Sequence, residues 1–167
     1  MKKALAIVGI LALSITPTAS FADHLEPKDG EIRPGGNLAH ANLRFRTLRD
    51  RNLSGLNLSG LDLSFARLSG ADLRNSNLRG AILSNANLFR ADLRNSNLRG
   101  SILTDADLFG ANMGFTNLRG ANLFRADLRG AILDNANLGG INATNLKACP
   151  SSLPSGWVCE NNSLIQR

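Results

Sequence analysis

ADLRNSNLRG, residues 71–80, returns letter for letter at 91–100. Beyond those ten letters, residues 71–90 agree with 91–110 at 15 of 20 positions, so the chain meets itself again after twenty residues. Inside that unit runs a shorter beat: leucine stands at 38, 43, 48 and every fifth position to 138, with Met113 the only replacement. A period of five suits neither regular structure. On a helix five residues turn through about 500°, which rotates successive leucines by about 140° and builds no apolar stripe. In a flat strand an odd period sends successive leucines to opposite faces. The chain must therefore turn once in every repeat.

Two positions before most of these leucines stands a small residue, as at Ala71, Ala81, Ala86 and Ala91, and the residue between is mostly Asn or Asp. In a three-residue extended piece the small residue and the leucine point one way and the middle residue the other. The remaining two positions are rich in Gly, Asn, Arg and Ser, of which Gly and Asn accept turn geometry readily. Each repeat is thus a short strand plus a corner, and the twenty-residue recurrence predicts four corners per circuit. All five prolines lie outside the repeats, where no ladder donor is lost.

The motif written here as ADLRN, ANLFR, ADLRG and ANLGG resembles the pentapeptide-repeat proteins over residues 37–146. The resemblance implies an all-β fold, a right-handed quadrilateral β-helix with leucines and small residues stacked inside. Its coils would number about five, nearer five and a half, a rod of roughly 26 Å at the spacing of neighbouring strands. Arg46 and Arg51 take the small inward position early on, where an unpaired buried charge is costly. Regularity is therefore expected from about Leu53, with an open, bent or capped first coil. The beat fails after Leu138, and residues 147–167 read as a C-terminal cap over the last coil.

Residues 1–22 read as a secretory signal: Lys2 and Lys3 open it, Ala4 to Ile15 is apolar, and Ser20-Phe21-Ala22 offers a cleavage site. The apolar run is shorter than the roughly 20 residues a membrane span needs, so no stable membrane insertion is expected after cleavage. Residues 23–36 are a linker. The address is then periplasmic or extracellular, and losing Lys2 and Lys3 lowers the formal charge from +6 to about +4. Cys149 and Cys159, an even pair in an exported chain, read as a disulfide. His24 and His40 lie far from them, and no metal or cofactor is called for.

Function is left to the exterior, read as columns twenty residues apart. Arg79, Arg99 and Arg119 form one column and Arg74 with Arg94 another, together a basic stripe open to an anionic polymer. The competing reading pairs these arginines with Asp72 and Asp92 across neighbouring coils as a neutral, solvated surface. On the other two sides Ile82, Ile102, Phe89, Phe109 and Phe124 fall at outward positions, and exposed apolar groups gathered together mark a contact surface. Phe45 and Phe65 share that spacing. No acid–base pair converges in a cleft, which argues against an enzyme.

Three functions follow. The first is an exported interaction scaffold, binding a partner protein or a second copy of itself through the apolar columns. The second is a binder of anionic cell-surface polymer through the arginines. The third, implied by the resemblance to quinolone-resistance relatives, is gyrase protection by imitation of DNA, which net positive charge and export both oppose. The absence of aromatic stacking platforms beside the stripe counts against nucleic acid as a partner.

Overall fold

The computed structural model describes residues 43–167, so the expected signal, linker and opening repeat lie outside the described residues. From Thr47↔Arg67 to Asn122↔Asn142, every backbone bridge is parallel and joins residues twenty apart. Four pentapeptides therefore complete one circuit, and the coil has four sides. The leucine columns name the faces. Leu63, Leu83 and Leu103 belong to the first, Leu68, Leu88 and Leu108 to the second, Leu73, Leu93 and Met113 to the third, and Leu78, Leu98 and Leu118 to the fourth. All are buried, together with the residues two positions before them, alanine on the second and third faces and serine or threonine on the fourth.

One repeat, residues 96–100, shows why five residues suffice. The Ser96 N–H closes the preceding corner on the Leu93 carbonyl at 3.1 Å. Asn97 reaches back one coil to Ser76 O at 2.9 Å, and Leu98 reaches forward to Asn117 O at 2.8 Å. Gly100 also reaches forward, to Arg119 O at 3.0 Å. That leaves the Arg99 N–H, which donates to the side-chain oxygen of Asn97 at 3.2 Å. All five amides are satisfied, as backbone at a closely packed surface requires. The Asn or Asp in the middle of the strand is thus an Asx cap on its own turn, a role that outward orientation alone does not reveal.

The corner is made by one residue. Every fifth position from Phe45 to Asn145 has φ between 52° and 69°, and the residue before it does not. A single positive φ at the third turn position marks type II geometry. Gly and Asn fill most of these sites at little cost, yet Phe45, Phe65, Arg90, Phe115 and Arg125 stand there too. For such residues the left-handed region costs roughly 1–2 kcal/mol each.

Two sequence expectations change. Regular coiling does not wait for Leu53, because Leu48 is already buried and the carbonyls of Arg46 and Arg51 accept from Arg67 and Asp72 at 2.8 and 2.9 Å. The ladder needs only their backbone, and their side chains are half-buried rather than enclosed. The interior also admits Leu56 and Leu61 where later coils hold Ser or Ala. Later coils place Ser76, Ser96 and Ser101 there, each buried hydroxyl donating to the carbonyl three residues before it at 2.6–2.7 Å.

At the C-terminal end the register slips by one residue, Asp127 bridging Ala148. A hairpin follows, β1 (Trp157–Glu160) pairing antiparallel with β2 (Ser163–Gln166). Asn161 and Asn162 both have positive φ, the two-residue turn that matches strand twist. Cys149 and Cys159 are joined, as the sequence predicts, tying the segment after the last repeats to β1. Backbone bonds from Leu146 to Asn162 (2.8 Å) and from Leu164 to Ala143 (3.0 Å) fasten the hairpin to the final turn.

Candidate functional site

The exterior columns diverge in chemistry once the coil is wound. On the third face the middle carboxylates and the arginines two residues on form closed pairs. Arg74 grips Asp72 through Nε at 2.9 Å and Nη2 at 2.7 Å, and Arg94 grips Asp92 at 2.9 and 2.6 Å. Arg129 holds Asp127 in the same way on the second face. These side-chain hydrogen bonds are the leading reason that all three aspartates lie below the ordinary carboxylate range. The competing reading of the stripe is therefore right for Arg74 and Arg94, with one amendment. The pairs close within a repeat, and the contact between coils, Arg74 Nε to Asp92, is longer at 3.7 Å. Pairing between coils dominates instead at a corner, where Arg125 meets Asp105 at 3.1 Å.

Arg79, Arg99 and Arg119 differ. They are exposed on the fourth face, their neighbours in the middle column are Asn77, Asn97 and Asn117, and no ion pair among the described residues reaches them.

The apolar columns are less exposed than outward placement suggests. Ile102 remains exposed, whereas Ile82, Phe89, Phe109 and Phe124 are half-buried because neighbouring coils stand close enough to shield them. Phe89 and Phe109 stack at 5.4 Å on the second face, with Arg90 over the first ring and Arg129 over the second. Phe45 and Phe65 stack at 4.9 Å along the corner between the first and second faces, with Arg44 within 6 Å of both rings. Ile82, Ile102 and Phe124 lie round that corner on the first face and do not join the stacks. Ile82 and Ile102 cannot supply the Asx cap, which identifies them as outward groups chosen against the local hydrogen-bonding pattern.

Between the two phenylalanine stacks runs a groove of about 420 Å³, lined among others by Arg49, Phe65, Arg67, Asn85, Phe89 and Asp107. No ion pair among the described residues neutralises Arg49 or Arg67. The groove combines aromatic walls with cationic groups, and Phe65 keeps its strained corner conformation while 41% exposed. Phe115, 63% exposed at another strained corner, was not singled out by the sequence reading. Its position, a Phe where the fifth residue of a repeat is otherwise mostly Gly or Asn, is the signal that would have found it. Among the described residues no group of histidine, cysteine or carboxylate side chains could hold a metal ion, and no helix is long and apolar enough to cross a membrane.

A four-sided β-helix wound from five-residue units, with leucine columns filling its interior, defines a class of solenoid. The chain belongs to the pentapeptide-repeat family: the description "Pentapeptide repeats", in eight copies, matches segments that together run from 37 to 147. Members of that family fold as right-handed β-helices. Among solved structures, the pentapeptide-repeat protein Rfr23 of the cyanobacterium Cyanothece 51142 is 40% identical at a TM-score of 0.54. That alignment covers 56% of this chain and 64% of the cyanobacterial one, so the chain spans under two thirds of that relative. A pentapeptide-repeat protein of the Arabidopsis thaliana thylakoid lumen is 32% identical at a TM-score of 0.35, covering 61% and 71%. QnrB1, a plasmid-mediated fluoroquinolone resistance protein, is 20% identical at a TM-score of 0.31, covering 61% of this chain and 66% of its own. No curated protein sequence matches the chain.

Proposed function

We propose that the chain is an exported, non-enzymatic scaffold of about five coils that binds a partner protein or a second copy of itself. The contact is made through the aromatic groove of the second face. The single observation behind this reading is the groove itself, where two phenylalanine stacks flank Arg49 and Arg67, which no ion pair among the described residues engages. Aromatic and arginine side chains carry most of the binding energy at protein interfaces. Holding Phe65 at positive φ opposes stability, which is how a side chain kept for contact behaves. The stapled C-terminal hairpin serves as a cap that covers the last coil and its strand edges, restricting end-to-end growth. Its cystine agrees with an oxidising compartment, as does the charged and apolar start of the sequence. Imitation of DNA finds no support in this exterior, since the third face is neutralised within its own repeats and the fourth is cationic.

The test replaces both walls of the groove. Phe65→Asn keeps a residue that accepts the corner conformation, and Phe89→Ser removes the opposite ring. Light scattering on the purified protein, and on the protein with material captured from its own compartment, should show a dimer or complex that the double variant reduces to monomer. A monomeric, partner-free wild-type chain would refute the proposal, as would an unchanged complex in the variant.

A further inference from the structure

The same repeat occurs in two electrostatic versions. Where the middle residue is Asp, the arginine two positions on folds back onto it, as in Asp72–Arg74, Asp92–Arg94 and Asp127–Arg129. Where it is Asn, the backbone turn is unchanged: the Arg79, Arg99 and Arg119 amides donate to the side-chain oxygens of Asn77, Asn97 and Asn117 at 3.1–3.2 Å. The guanidinium, however, stays exposed. The neutral version of this slot is available to the fold, yet three consecutive coils of one face carry the charged one. Like charges stacked about 4.8 Å apart repel, and no acid of the described residues offsets them.

The surroundings fit an extended ligand. The middle column is asparagine throughout, linked coil to coil by carboxamide bonds from Asn77 to Asn57 (3.1 Å) and from Asn97 to Asn77 (3.4 Å). Beside the arginines the corner is glycine, and a Cβ built at Gly80, Gly100 or Gly120 would meet nothing within 4 Å. Its middle and arginine columns carry no outward apolar side chain among the described positions, and the exposed Phe115 stands only at the corner shared with the third face, so the body of the face lacks the anchors a protein partner would use.

We infer that the fourth face binds a linear acidic polysaccharide, its carboxylates on Arg79, Arg99 and Arg119 and its hydroxyls along the asparagine column. Carboxylate is the anion because this chain shows it three times: a guanidinium in that slot takes a carboxylate through two nitrogens whenever one is supplied. Polysaccharide is the carrier because the half-buried carboxamides of Asn77, Asn97 and Asn117, whose oxygens already accept the Arg79, Arg99 and Arg119 amides, keep an N–H donor once per coil for the hydroxyl oxygens of such a chain. This surface is separate from the second-face groove, and either can fail alone.

Titration of the full chain with polygalacturonate at low salt tests the inference, with poly-L-glutamate and neutral dextran in parallel. Binding to polygalacturonate should weaken steeply with salt through counterion release, exceed that to poly-L-glutamate, and be absent with dextran. Asn77→Asp with Asn97→Asp and Asn117→Asp recreates the closed pairs of the third face and should lower affinity at least tenfold. Arg79→Gln with Arg99→Gln and Arg119→Gln, which alters only exposed side chains, should do the same. Arg74→Gln with Arg94→Gln should leave affinity within twofold. Failure to bind polygalacturonate, equal binding of poly-L-glutamate, or affinity indifferent to both triple variants would overturn the inference.

Discussion

Gly100→Ala isolates the corner from everything else in the coil. Gly100 has φ of 66°, its N–H bonds to Arg119 O at 3.0 Å, and an added Cβ would meet nothing within 4 Å. No collision accompanies the change, so its effect is the backbone preference alone. Holding an L-residue in the left-handed region costs roughly 1–2 kcal/mol, and alanine recovers roughly 0.4–1 kcal/mol by restricting the unfolded chain. A net loss of about 1 kcal/mol is expected. Gly100→Asn should cost less than alanine, since Asn75, Asn85 and Asn95 already occupy equivalent corners. Gly100→Val should cost more, because a β-branched residue is a severe outlier at positive φ. Urea unfolding gives the midpoints, and an unchanged slope shows that the surface exposed on unfolding is the same. Alanine at or above wild-type stability, or a series in which Asn, Ala and Val cannot be ranked, would refute the account of the corner.

Acid should weaken the coil through its capped carboxylates. Asp72, Asp92 and Asp127 are held below the ordinary range first by hydrogen bonds from Arg74, Arg94 and Arg129, and Asp62 first by the Ser64 hydroxyl. A depressed carboxyl contributes above its unfolded value near 4 and loses that contribution as pH falls through its folded value. Melting temperature should therefore be flat from pH 7 to about 5 and decline below about 4, with a shallower decline in Asp72→Asn with Asp92→Asn. A double variant that follows the wild-type acid limb would contradict the pairing. Replacing Cys149 and Cys159 by serine opens a short loop worth about 3 kcal/mol on the chain-entropy model. Amide exchange should accelerate in β1, β2 and the Leu146–Asn162 bond while the Leu98 amide stays protected. Uniform acceleration through the coil would show that the hairpin and the repeats unfold together.

The interior was legible because leucine at every fifth position forces a turn in each repeat; the twenty-residue recurrence suggested four sides, the family resemblance implied them, and the bridges twenty residues apart agree. The cysteine pair was equally plain. What sequence periodicity could not supply was the identity of each corner. Phe65, Arg90 and Phe115 occupy a backbone conformation their residue types disfavour, and only the chain's position in the coil imposes it. The exterior was half legible. The columns were correct, but whether a guanidinium closes on its neighbour depends on one atom, the Asp or Asn oxygen or nitrogen two residues earlier. Arg74 and Arg79 therefore look alike in a column and behave oppositely. The Phe65–Phe89 groove was missed because Phe65 stands at the corner where the second face begins and Phe89 toward its other end, twenty-four residues apart rather than twenty.

The register between coils also bears on how such a molecule changes over generations. ANLFR occurs at 86–90 and again at 121–125, thirty-five residues on, so the same five letters put Phe89 on the second face and Phe124 on the first. Gaining or losing a single unit leaves every leucine indoors, yet carries all downstream side chains a quarter turn around the axis. Such an event is nearly silent to folding while it deals the whole remaining exterior a new set of neighbours, so novelty of surface can arrive in one step.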